Sequence, residues 1–129
     1  MLMYLLAAII ASFIAYLVNQ YLVGRFGAGT IIFITPIVEE TLKTGMALIL
    51  STTILPVHII FGIIEGIYDL KTSRLGTSAG LLSLIWHSTF GLVTVLVSSF
   101  MGHLVWGLIA AILLHYIGNN FVITKGGLK

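Results

Sequence analysis

The sequence predicts an all-α, polytopic membrane protein of about five transmembrane helices, with its N-terminus outside and its C-terminus in the cytoplasm. Three observations carry this. Of 129 residues, 59% are hydrophobic and only 8% are charged, where a soluble domain carries about 25% charged residues; the mean hydropathy is +1.16. The apolar residues gather into five runs, 2–23, 31–50, 54–70, 78–100 and 104–123, each near the roughly 20 residues that cross a bilayer as helix. Outside those runs, Arg25, Lys71, Arg74, Lys125 and Lys129 all fall on one side of a five-span chain, with no Lys or Arg on the other, as the positive-inside rule requires. The runs leave no room for a separate soluble domain, so 1–129 reads as a single transmembrane domain.

A pI of 9.1 then reflects topology, and no nucleic-acid partner is expected; the lipid bilayer is the expected surrounding. The absence of cysteine excludes disulfides and thiolate chemistry.

In chain order, the first run has no Lys or Arg before it and is long enough to span, so a retained span is expected rather than a cleaved signal. No lipidation pattern marks either end. Gly24, Gly27 and Gly29 separate it from the second run, where Pro36 removes a helical hydrogen bond and should bend the helix. Ser51-Thr52-Thr53 closes that run. The third, 54–70, is short for a span; its Pro56 falls in the first helical turn, where a missing N–H costs nothing. Gly62-x-x-x-Gly66 predicts close helix contact and is compatible with a homo-oligomer. Lys71, Arg74 and Gly76 mark the next turn, and Met101-Gly102 the last.

Within the second run lie Glu39, Glu40 and Lys43. A charge at bilayer depth costs about 3 kcal/mol or more, so such groups face a protein interior or a water-filled cavity and need partners. At about 1.5 Å per residue, Glu39 lies about 12 Å from the cytoplasmic end of its run, His87 about 13 Å, His115 about 12 Å and Glu65 about 7 Å. Two glutamates and two histidines from four helices can therefore meet in the cytoplasmic half. Lys43, one turn beyond the paired glutamates, most simply neutralises one of them. His87 is either part of a reactive site or a neutral imidazole bonded to a carbonyl. His115 and Asn119 share a helical face. His58 and His103 fall near the outer ends of their runs and are expected at the interface, as is Tyr4. Asp69 is expected to pair with Lys71 at the surface, and Tyr68 to bond a carboxylate or lie at the interface.

A carboxylate and an imidazole around one water form a general-base arrangement for hydrolysis, and a second histidine with an asparagine can stabilise an oxyanion. Glu39, Glu65, His87 and His115 also form a plausible set of ligands for a divalent metal such as zinc. No G-x-S-x-G and no H-E-x-x-H is present, which argues against those hydrolase classes. Two other functions fit buried charges. A proton or ion pathway needs groups spread through the whole bilayer, whereas these lie in one half. A non-catalytic scaffold would use them to fix helix packing.

Four motifs occur in order: Glu39-Glu40-x-x-Lys43, Phe61-x-x-x-Glu65 with Tyr68, His87-x-x-Phe90-Gly91, and His115-x-x-x-Asn119. In this the chain resembles the PrsW-type intramembrane proteases over residues 31–123. More distantly it resembles the type II CAAX prenyl proteases, the bacteriocin-processing enzymes and the gamma-secretase scaffold subunit of the same superfamily. The resemblance implies a buried glutamate–histidine site that cleaves peptide bonds of membrane-associated proteins, in a multi-pass protein of a prokaryotic cell membrane. It makes Glu39 the water-activating carboxylate and Glu40, paired with Lys43, the supporting one. His87, His115, Glu65 and Asn119 would complete the site. The CAAX-type enzymes carry a histidine four residues after the phenylalanine and an arginine after the glutamates. Here Glu65 and Lys43 stand in those places, so a prenylated substrate is not expected.

Overall fold

A computed structural model describes residues 2–125, with side chains to residue 122; Lys129 and the side chain of Lys125, two of the expected topology determinants, lie outside it. Five long helices and one single-turn helix account for nearly all of it: α1 (Leu2–Phe26), α2 (Thr30–Phe33), α3 (Thr35–Ile49), α4 (Ile54–Thr72), α5 (Thr77–Met101) and α6 (Leu104–Lys125). No strand occurs among the described residues. Three helices are long and apolar enough to cross a membrane: α1, α5, and α6 over Leu104–Val122. The second and third apolar runs form helices that are charged or shortened. At 15 residues α3 falls below spanning length, and α4 carries Glu65, Asp69 and Lys71.

Proline has a larger effect than a bend. The second run is interrupted at Ile34, and α3 starts afresh at Thr35 with Pro36 in its first turn. Backbone bonds bracket the break, Ile34 N–H to Thr30 O at 2.9 Å and Val38 N–H to Ile34 O at 3.1 Å. Pro56 sits in the first turn of α4, as its missing N–H favours. Gly102 ends α5 at φ 72°, a left-handed conformation that costs glycine little.

Four helices form a ring: α3 packs on α4, α4 on α5, α5 on α6 and α6 back on α3, while among the described residues the backbones of the diagonal pairs stay apart and side chains such as Lys43 and His87 reach across. Helices α4 and α5 approach closely where glycines meet. A Cβ built on Gly66 would lie 2.7 Å from the carbonyl oxygen of Gly80, and one on Gly80 equally close to that of Gly66. Outside the ring, α1 lies against α3 and α4 through Ala7, Ala8, Ala11 and Ala15, all buried. Alanine brings backbones close enough for dispersion contact to replace the missing hydrophobic drive in lipid. The outward faces of α1, α5 and α6 are apolar, with Leu2, Phe13, Leu96 and Phe100 exposed. Polar groups are instead directed into the ring.

Candidate functional site

The ring encloses Glu40 and Lys43 of α3, His58 and Glu65 of α4, His87 of α5 and His115 of α6, with Glu39 of α3 on the side towards α1. Glu39, Glu40, Lys43, His58, His87 and His115 are all buried. Helical spacing puts Glu40 and Lys43 on one face (i, i+3), and the short turns fold α4, α5 and α6 back so that their histidines come level with it.

Glu40 is saturated. Its Oε1 accepts from Lys43 Nζ at 2.5 Å and from His115 Nδ1 at 2.9 Å, while Oε2 lies 3.1 Å from His58 Nε2. A buried carboxylate is tolerable on these terms. Chemistry fixes several protons. Lys43 has only donors, so His87 Nδ1, 2.8 Å from Nζ, is the acceptor. The His87 ring proton is then on Nε2, which donates to Glu65 Oε2. His115 donates from Nδ1, which leaves the lone pair of its Nε2 directed elsewhere. His58 Nδ1 faces the Ile54 carbonyl at 3.1 Å and must donate, so one further proton is shared between His58 Nε2 and Glu40.

Glu39 is only half used. Its Oε1 accepts from Asn19 Nδ2 at 2.8 Å, but Oε2 is buried with no hydrogen-bond partner. That oxygen lies 3.9 Å from His115 Nε2 and 3.9 Å from Lys43 Nζ. Two acceptors, Glu39 Oε2 and His115 Nε2, thus lie 3.9 Å apart with no donor between them, and a small molecule placed beside the pair would donate to both. Aromatic rings wall the cluster: Phe90 stacks on His115 with centroids 4.5 Å apart, Phe61 tilts on His87 at 5.1 Å, and Lys43 Nζ lies 4.4 Å from the Phe61 ring centre.

Of the four residues expected as metal ligands, Glu39, His87 and His115 each offer an atom, and these lie within 4.8 Å of one another. Glu65 is not in that group; it is partly exposed and pairs with His87 and, at 3.4 Å, with Ser83. The Lys43 ammonium stands at the group's edge, where it repels a dication. Both His87 nitrogens are already engaged. The donor set therefore fits a metal poorly.

Other expected residues fall elsewhere. Asn119 Nδ2 donates to the carbonyl of Ile31 at 2.8 Å, joining α6 to the broken segment of the second run. Tyr68 is exposed and meets Tyr16 edge-on at 5.8 Å. His103 is exposed, its Nδ1 accepting from Val105 N–H at 3.3 Å. No ion pair joins Asp69 to Lys71 among the described residues.

Two residues depart from or escape the sequence reading. His58, expected at the interface, is fully buried against Glu40. Counting along helices gives only the level of each Cα, and two long side chains bridge the remaining axial offset between His58 and Glu40. Asn19, next to Gln20 inside an apolar run, carries no motif; amides in that setting were the available signal. Neither the sequence, compared with models of protein families and with curated proteins, nor the structure, compared with solved structures, finds a match.

Proposed function

We propose that this chain is an intramembrane endopeptidase that hydrolyses peptide bonds of membrane-associated proteins, with Glu39 as its general base. The reading rests above all on Glu39 Oε2, a buried carboxylate oxygen with no partner that faces the free lone pair of His115 at 3.9 Å. A water donating to both would lose a proton to Glu39 as its oxygen attacks the scissile carbonyl. The C–O bond forms, the carbonyl electrons move onto oxygen, and the nearby Lys43 cation offsets that charge. Glu39 then returns the proton to the leaving amine as the C–N bond breaks. Glu40 takes no proton from that water; its oxygens are already engaged by Lys43, His115 and His58, and it holds Lys43 and His115 in place. On this reading all five long helices cross the bilayer, with the basic turns in the cytoplasm. The similarity to PrsW-type proteases supports the same assignment, and the poor fit for a dication favours a metal-independent reaction.

The test compares protein N-termini in membranes of cells expressing the wild type or Glu39→Gln. New N-termini confined to the wild type are expected, unaffected by a zinc chelator. Identical profiles from two folded, abundant proteins would reject the reading. A second reading, a non-catalytic scaffold, is favoured by Glu40, whose two oxygens are both engaged by side chains from three helices, since such a buried network specifies packing without chemistry.

A further inference from the structure

We infer that Asn19, on α1, is a positioning residue that decides which oxygen of Glu39 is free to react; the inference rests on the hydrolase reading above. The two oxygens of a carboxylate are equivalent until the surroundings distinguish them. Here Asn19 Nδ2 takes Oε1 at 2.8 Å, and this leaves Oε2 turned towards Lys43 and His115. The amide is itself oriented. Thr35 Oγ1 donates to Asn19 Oδ1 at 3.2 Å, so Oδ1 is occupied as an acceptor and the NH2 group is presented to Glu39. Thr35 is buried and sits at the first position of α3, just after the break at Ile34. The interruption of the second run therefore supplies the hydroxyl that sets the amide.

The register of α1 explains why Asn19 arrives there. Ala7, Ala11 and Ala15 form the buried seam at i, i+4 spacing, and Asn19 is the next member of that series, one turn further on. A helix that otherwise packs through alanines and the rings of Tyr4 and Tyr16 thus delivers one polar group into the site, and α1 belongs to the reactive machinery although it lies outside the four-helix ring. An amide inside an apolar helix is costly unless bonded, and both polar atoms of this one are engaged.

The test uses full-length protein in liposomes with a peptide spanning a cleavage site identified by the wild type versus Glu39→Gln comparison. Asn19→Ala is expected to lower kcat about tenfold with KM unchanged. The isosteric Asn19→Asp, which presents an acceptor to an acceptor, should lower it at least as far. Thr35→Val should cost a few-fold alone and nothing further in the Asn19→Ala background, because Thr35 acts only through the amide; a merely structural role would give additive losses. An independent readout is infrared spectroscopy, in which the carboxyl band lost in Glu39→Gln identifies Glu39. That band should shift in Asn19→Ala and shift less in Thr35→Val. An unmoved band overturns the inference whether or not the protein cleaves anything. So does an unchanged kcat in Asn19→Ala while the wild type remains active. A wild type that cleaves nothing, with the band still sensitive to Asn19, ends the hydrolase reading and the positioning role with it.

Discussion

Adjacent in sequence, Glu39 and Glu40 differ in how many donors reach them, and their substitutions should separate accordingly. Removing Lys43 from beside Glu40 leaves an uncompensated charge in a dry interior, which typically costs about 3–5 kcal/mol. Lys43→Met and Glu40→Gln are therefore expected to lower the thermal midpoint in detergent sharply. Glu39→Gln keeps the acceptor that Asn19 uses and alters an oxygen that accepts no hydrogen bond and lies 3.9 Å from Lys43 Nζ, so its midpoint should fall less than that of Glu40→Gln while cleavage is lost. His58→Phe should behave like the Glu40 change, because His58 is fully buried on Glu40 Oε2; a histidine at the lipid headgroups would tolerate it. Equal midpoints for His58→Phe and wild type would contradict the geometry described here.

Helix contacts make a second contrast. Gly66 and Gly80 meet backbone to backbone, and a Cβ on either lies 2.7 Å from a carbonyl oxygen that cannot rotate away. Gly66→Ala must push α4 from α5 and stretch the His87–Glu65 pair that joins them. Nothing lies within 4 Å of a Cβ built on Gly45 of α3, so Gly45→Ala should gain roughly 0.5–1 kcal/mol of helix propensity. The expected result is a higher midpoint for Gly45→Ala and a lower one for Gly66→Ala. The Gly62-x-x-x-Gly66 motif pointed to this contact, and its partner Gly80 closes a Gly76-x-x-x-Gly80 motif of its own. The alanine seam of α1, Ala7-x-x-x-Ala11-x-x-x-Ala15, follows the same small-residue spacing, but neither pattern says which helices pair.

On the proposed topology the chain places its turns on two sides of a bilayer. Because it contains no cysteine, single cysteines report their side directly. Leu75→Cys, in the α4–α5 turn, should react with an impermeant thiol reagent only from the cytoplasmic face, and Thr53→Cys and His103→Cys only from outside. Thr53 and Leu75 flank α4, the helix whose three charges set it apart from the plainly apolar ones, so their labelling on opposite faces is the result that matters most. Labelling on the same face would mean that α4 does not cross.

Helix number, the positions of the turns and the clustering of Glu39, Glu40, Glu65, His87 and His115 were legible in the residues, because apolar runs and helical rise fix where a side chain sits along its axis. Rotation about that axis and the reach of long side chains were not. Those decided that His58 joins Glu40, that Asn119 caps the break in the second run, and that Tyr68 lies outside the cluster. They also decided that Asn19 reaches across from α1 and that Glu39, not Glu40, keeps an oxygen free. Each of these depends on which faces of helices distant in sequence come together, and that is settled by the packing of small residues such as Ala15, Gly66 and Gly80.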